Sequence, residues 1–254
     1  MVVYYACVMF IFGACFGSFY NVVGYRLPRN MSIIKPASHC TSCNHKLNIG
    51  DLFPIFSYLF LRGKCKYCKA KVGWFYPIFE TITGLLFLFC YLKYGFTKEL
   101  WISLIFISAS LIIIISDYQT MIIPDEVLLT ALILLASVYG FGFGLEKLGS
   151  VLFHGLIAFG IMFLLKLFGD FLFKRESMGG GDIKLMFIFG MVLEWPTALL
   201  AIFFSAFLAL PASLFLVSRE NTHEIPFGPF LVTAAMILLL SGFDMNCLIS
   251  IMTY

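Results

Sequence analysis

The chain has 254 residues, of which 61% are hydrophobic and 12% charged, with 30 phenylalanines and a formal net charge of +3. A soluble domain carries about 25% charged residues, so this composition excludes an ordinary soluble domain and places the chain in a membrane. The small net charge hides a basic face, because the positive residues are unevenly spread.

Eight apolar runs follow one another at 2–24, 77–93, 100–116, 127–145, 148–167, 183–193, 196–217 and 226–242. Most approach the roughly 20 residues that span about 30 Å of hydrocarbon. The fold expected is an all-α polytopic membrane protein of about eight transmembrane helices. The run 183–193 is short, which predicts a broken helix or one shielded by protein. Run 2–24 has no basic residues before it, and its nearest charge, Arg26, lies on the far side. "FGAC" (12–15) is similar to a lipoprotein cleavage site, but without that basic segment the run reads as a retained signal anchor. Gly13 and Gly17 form a GxxxG pair that predicts close helix packing.

Segment 25–73 holds nine of the 17 Lys and Arg residues: Arg26, Arg29, Lys35, Lys46, Arg62, Lys64, Lys66, Lys69 and Lys71. The positive-inside rule makes that loop cytoplasmic. Alternating from there, Lys166, Lys174, Arg175, Lys184 and Arg219 fall on the same side, and only Lys93, Lys98 and Lys147 on the other.

The loop 25–76 reads "SHCTSCNHKL" and then "RGKCKYCKAK". Cys40 and Cys43, then Cys65 and Cys68, make two CxxC pairs with 21 residues between them. Each pair sets two thiolates on one turn, and two turns complete a tetrahedral zinc site. A reducing compartment disfavours the alternative, two disulfides. Asn44 suits the left-handed position after its knuckle, whereas Lys69 at the corresponding place does not. His39 and His45 flank the first knuckle as surface residues. The basic charge of the loop is read as attraction to anionic membrane lipid, and no nucleic-acid partner is expected. Cys7, Cys15, Cys90 and Cys247 show no pairing pattern and read as small buried hydrophobes.

Carboxylates in membrane segments are costly and are candidates for function. In "IIIISDYQTMIIPDEVLL", Asp117 ends the third apolar run, where the helix dipole disfavours its charge. Asp125 follows Pro124 at the position of an N-cap for the next helix. Asp182, after Gly179, Gly180 and Gly181, emerges on the same face as Asp117. Two carboxylates at one membrane depth on different helices cannot both ionise readily if they meet, so one proton is shared. The ionised member takes a proton from water and the protonated one donates to a peptide carbonyl. The glycines would let a substrate backbone lie close to Asp182. His154 is expected to be hydrogen-bonded inside the bundle, and His223 and Glu224 are assigned no chemistry.

These residues carry a resemblance. "GGGD" resembles the GxGD motif of intramembrane aspartic proteases, and "DYQTMIIPD" resembles the segment holding the first catalytic acid of type IV prepilin peptidases. "GACFGSFYNVVGYRLPR", the two CxxC knuckles, "FYPIFETITGLLF" and "IPFGPFL" are similar to the same family in the same order, over nearly the whole chain. The resemblance puts the catalytic acids on Asp117 and Asp182 and the zinc ligands on Cys40, Cys43, Cys65 and Cys68. It implies two parts: residues 1–95, with the zinc-binding, methyltransferase-associated loop 25–76, and residues 96–254, a membrane-embedded aspartic peptidase domain. It further implies a multi-pass protein of the bacterial inner membrane whose active site faces the cytoplasm. Such an enzyme cleaves the basic leader from prepilin or pseudopilin substrates and methylates the new N-terminus with S-adenosylmethionine. No GxGxxG cofactor loop is present. Methylation needs a neutral amine, so Glu80, which can orient that amine or accept its proton, is a methyl-transfer candidate, with Asn21 and Arg26 as further guesses. A peptidase without methylation, a transporter with proton-relay acids and a tethered zinc module are the competing readings. The transporter predicts acids near the midplane and repeated halves, and the sequence has neither.

Overall fold

The computed structural model describes residues 1–174, 176, 178–220 and 226–252, without the side chains of residues 49, 212, 215–220, 246, 251 and 252. Arg175, the Arg219 side chain, His223 and Glu224 therefore lie outside the described residues. The chain forms helices with no named strand among those residues, in two compact units, Met1–Phe96 and Thr97–Tyr254. Five helices are long and apolar enough to cross a membrane.

The first unit is a pair of packed helices with a loop between them. Helices α1 (Val2–Arg26) and α3 (Phe75–Tyr94) lie against each other over much of their length. Glycines set how closely. A Cβ on Gly13 would stand 2.8 Å from the Thr83 carbonyl oxygen and 2.9 Å from Gly84 Cα, and one on Gly17 would stand 2.9 Å from Glu80 Cα. The GxxxG pair is thus a packing surface, since only residues without side chains let two backbones approach so far. Cys90 is fully buried, as expected, whereas Cys7 and Cys15 are exposed on α1. The expectation of burial fails for those two because they face away from α3.

Between these helices, 3₁₀ turns at Leu27–Arg29 and Ile49–Leu52 and a short helix α2 (Phe56–Phe60) shape the loop. The buried Arg26 guanidinium donates to the carbonyls of Ser32, at 3.1 Å, and Ile33, at 3.4 Å, folding the start of the loop back onto the end of α1.

The second unit is a bundle of α4 (Lys98–Thr120), α5 (Asp125–Phe143), α6 (Leu145–Phe173), α7 (Gly180–Leu193), α8 (Trp195–Glu220) and α9 (Gly228–Ser241), ending in α10 (Met245–Met252). Helix α4 is central: 72% of its membrane-length window is buried, against 22–33% in the other four long helices. Those four keep apolar faces outward, as lipid-facing helices do.

Helix α7 explains the short apolar run. At 14 residues it falls short of a full span, and its residues are buried on nearly every side, including Ile183, Leu185, Met186, Ile188, Phe189 and Met191. It is shielded by protein. A Cβ on Gly190 would stand 2.5 Å from the His154 carbonyl oxygen, so α7 and α6 touch backbone to backbone. The Tyr139 hydroxyl on α5 donates to the Met191 carbonyl at 3.1 Å, and Phe106 on α4 meets Phe189 at 5.5 Å. His154 departs from expectation, because its buried Nδ1 has no hydrogen-bond partner.

Candidate active site and metal centre

The four cysteines form one cluster. Each pair bends as a knuckle: the Asn44 N–H donates to the Cys40 carbonyl at 2.9 Å, and the Lys69 N–H to that of Cys65 at 3.1 Å. The returning strands close with His39 bridged to Lys46 and Lys64 bridged to Lys71. Both residues after the knuckles are left-handed, Asn44 at φ 54° and Lys69 at φ 61°. A lysine pays for that conformation with Cβ strain that asparagine largely avoids. All four Sγ atoms lie within 4.8 Å of one another, and Cys40 and Cys68 are 3.8 Å apart.

Thiolates at about 2.3 Å on a zinc tetrahedron stand roughly 3.8 Å from each other, so the donor set fits that ion and the spacing is far beyond a disulfide bond. The N–H groups of Cys43 and then Ser42 pull the Cys40 thiol down to about 6. The Ala70 amide lowers Cys68, but desolvation and the neighbouring thiols outweigh it and hold Cys68 up at about 11. Cys40 is thus the readier of these two thiols to ionise. The histidines stay out: His45 lies over the Tyr67 ring at 3.6 Å, and His39 Nδ1 contacts the Ala37 carbonyl oxygen at 3.0 Å.

In the second unit, Asp117 lies in the last turn of α4, which continues past it to Thr120 rather than stopping there. The helix ends at Met121, left-handed at φ 54°, whose N–H donates to the Asp117 carbonyl at 2.9 Å. The Ser116 hydroxyl donates to the Ile122 carbonyl at 2.6 Å and holds the turn that follows. The unfavourable helix-end position of the Asp117 carboxylate is offset by a second helix. The Gly228 N–H, at the start of α9, donates to it. The approach is so close that a Cβ on Gly228 would stand 2.5 Å from Asp117 Oδ2.

Asp182 is the third residue of α7, inside the helix rather than capping it; Gly179 is the N-cap, and Gly180 and Gly181 are already helical. Free N–H groups at a helix start favour a carboxylate. Both acids are buried, and the Asp117 charge acts on Asp182. Ile123 lies between the two glycine contacts. A Cβ on Gly181 would stand 2.9 Å from Ile123 Cβ, and one on Gly228 3.6 Å from its Cδ1. The third glycine of "GGGD" is therefore needed where α7 rests on Ile123, while Gly180 faces open space.

Asp125 is the first helical residue of α5 and makes no capping bond; Pro124 is the N-cap. Its exposed carboxylate instead takes Lys184 Nζ at 2.8 Å to each oxygen. The N-cap expectation failed because Pro124, with its extended ψ of 127°, already makes the entry into the helix.

Glu80 is buried on α3, where Oε2 accepts the Ile55 N–H at 2.8 Å and the Ser18 side chain also bonds to the carboxylate. Nearby on α1, Asn21 donates to the Gly17 carbonyl at 3.0 Å, and its buried Oδ1 has no partner. Sequence reasoning missed Gly228 and Ile123. The Gly-Pro of "IPFGPFL" is a helix-start signal that marks α9, but nothing local announces that its first N–H reaches Asp117.

Residues 11–94 match the family described as the bacterial peptidase A24 N-terminal domain, and residues 104–214 match the type IV leader peptidase family. The prepilin leader peptidase/N-methyltransferase of Bacillus subtilis is 34% identical over 92% of this chain and 94% of its own length. Proteins of the same name from Pseudomonas aeruginosa, 31% identical over 91% of this chain and 89% of theirs, and from Neisseria gonorrhoeae, 30% identical over 90% and 87%, are also similar. No solved structure matches the chain. With cysteine knuckles in the first unit, a buried acid pair in the second and relatives matched nearly end to end, the chain belongs to the type IV leader peptidase family.

Proposed function

We propose that the chain removes the basic leader peptide from prepilin or pseudopilin substrates, with Asp117 and Asp182 sharing one proton, and then methylates the exposed N-terminal amine. The observation that carries this reading is the burial of both carboxylates within reach of each other's charge, at the end of α4 and the start of α7. In cleavage, the ionised carboxylate takes a proton from water while the other donates its proton to the scissile carbonyl oxygen. The resulting tetrahedral centre collapses: one hydroxyl returns its proton to the acid that had donated, the C–N bond breaks, and the leaving amine is protonated by the acid that took the water's proton, so the pair again shares one proton. The Gly228 N–H steadies Asp117 through this exchange.

Helix ends suit the substrate as well. A leader peptide is polar and the segment after the cut is apolar, so the acids belong at the membrane boundary. In this reading the apolar helices lie within the bilayer, with α7 held among the others rather than spanning it alone, the basic loop and the acids face the cytoplasm, and the protein resides in the bacterial inner membrane. Cys40, Cys43, Cys65 and Cys68 would hold a structural zinc ion, fixing the two knuckles of the loop. The methyl donor is S-adenosylmethionine, used as a second substrate. Glu80 is assigned to methyl transfer, orienting the amine or accepting its proton.

The test is to incubate the purified protein in lipid with a prepilin, with and without S-adenosylmethionine, and weigh the products. Cleaved peptide in both reactions and an added methyl mass in one are expected. An uncleaved prepilin would sink the peptidase reading, and cleaved but unmethylated product in both would leave a peptidase alone.

A further inference from the structure

The loop of the first unit contains an apolar surface that its polar composition conceals. Phe53, Phe56, Leu59 and Phe60 recur at helical spacing and are all exposed, Phe60 at 83%. Tyr58 points the other way, its ring against the Gly63 position and its hydroxyl towards the Val72 carbonyl. One side of α2 therefore closes the loop, and the opposite side presents large apolar groups with no protein over them. Contiguous exposed apolar surface of this kind marks an interaction site.

The Glu80 bond fixes the depth of that surface. Glu80 lies five residues into α3, about 7.5 Å along the axis from Phe75. A fully extended glutamate side chain reaches about 5 Å, given bond lengths near 1.5 Å. Adding the 2.8 Å bond to the Ile55 N–H, the first residue of the α2 turn stands at most about level with the start of α3. Ile55 holds φ 62°, a conformation rare for a β-branched residue, so the loop is bent sharply where it is tied. The start of α3 is marked as a membrane boundary by Trp74 and Tyr76, 70% and 48% exposed, because such amphipathic rings favour the headgroup level. Immediately after α2 come Arg62, Lys64, Lys66, Lys69 and Lys71, a run of charge that complements anionic headgroups.

We infer that α2 is an interfacial anchor: Phe53, Phe56, Leu59 and Phe60 insert among the phospholipids of the leaflet on the loop side, with Glu80 holding the segment at that depth. The zinc knuckles then lie flat on the bilayer rather than swinging out in solvent. A sequence-local feature, four exposed apolar residues between two CxxC pairs, becomes a membrane contact only because a buried acid on a spanning helix pins its first turn.

The test places a photo-reactive group on the surface. The Phe60→p-benzoylphenylalanine variant, and separately the Leu59→p-benzoylphenylalanine variant should the first fold poorly, is reconstituted in vesicles of phosphatidylglycerol and phosphatidylethanolamine. Its zinc content serves as the folding check. After illumination, mass spectrometry of the 52–62 peptide is expected to show a phospholipid adduct as the main product. An adduct to residues 97–254, to a second copy or to a co-reconstituted prepilin in place of lipid would overturn the inference, as would the absence of any adduct in both variants. A Phe60→Asp variant adds a second reading: hydrogen exchange across 52–61 should rise at least about tenfold, with zinc retained, as the segment leaves the interface. Unchanged exchange would also count against it.

Discussion

Cys40, Cys43, Cys65 and Cys68 come from two short turns, and each turn's own backbone aims its pair of thiols, so the cluster could be drawn from spacing alone. Asp117, Asp182 and Gly228 come from the end of α4, the start of α7 and the start of α9, and each has an ordinary local environment until the three helices meet. The first site is assembled by the chain's local geometry and the second by packing. A site of the first kind should fail residue by residue, and only in its own unit. One of the second kind should fail whenever any of three distant helix ends moves.

The largest expected effect tests the acids. Asp117→Asn and Asp182→Asn should each lower leader cleavage by about 10³-fold or more, the full loss of an acid–base partner, while zinc content and membrane insertion stay normal. A variant that cleaves within tenfold of the parent would remove that residue from the pair. Next comes the cysteine cluster. The purified protein should carry about one zinc ion per chain. Cys40→Ser or Cys65→Ser should weaken zinc by more than the roughly 100-fold that loss of an outer partner costs, and methylation should fall more than cleavage. Full zinc occupancy in both variants by metal analysis would end the four-thiolate assignment.

Gly228→Ala sharpens the contrast between the two sites, since it touches neither acid in sequence. Its methyl would stand 2.5 Å from Asp117 Oδ2. A displacement near 1 Å costs about 10²-fold in rate, so cleavage should drop by about that factor while zinc content and methylation of a pre-cleaved peptide hold. Normal cleavage would mean that α9 is not part of the site. Glu80→Gln retains an acceptor for the Ile55 N–H but loses the charge. The product should be cleaved at a rate within about twofold and methylated about 10²-fold more slowly, at the low end of general-base effects. Normal methylation would leave Glu80 as an anchor of α2 alone. The smallest effect belongs to Asp125 and Lys184. Their ion pair is exposed, with 68% and 53% of the side chains accessible, so Asp125→Asn and Lys184→Ala should change stability by less than about 1 kcal/mol and keep substantial activity. An inactive Asp125→Asn beside an active Asp117→Asn would reverse the assignment of the acids.

How much of this was legible beforehand varies with the range of the contact. The eight apolar runs each became a helix, because hydrocarbon leaves a spanning chain little choice. The GxxxG pair at Gly13 and Gly17 announced a close approach, and α3 supplied it. Where the sequence stopped short, the surroundings of a local feature depended on neighbours out of sequence reach. Asp125 had the look of a cap, but Lys184 on α7 decided what its carboxylate does. Glu80 could be named as a methyl-transfer candidate, but not its bonds to Ile55 and Ser18. The "GGGD" glycines read as room for a substrate, and the packing of Gly181 on Ile123 is a further demand that the sequence did not show.

The sequence by itself determined a helical membrane chain, a pair of cysteine knuckles with the donors for a metal ion and, through its motifs, a resemblance to the family, since composition, spacing and motifs are properties of neighbouring residues and survive without a fold. Only the tertiary structure decided that the Gly228 N–H meets Asp117, that α7 is short because protein surrounds it, and that α2 is tied beside the first turns of α3. Those outcomes depend on where helix ends arrive in space, and the energies that place them, close packing and the satisfaction of buried polar groups, exist only once the helices have come together.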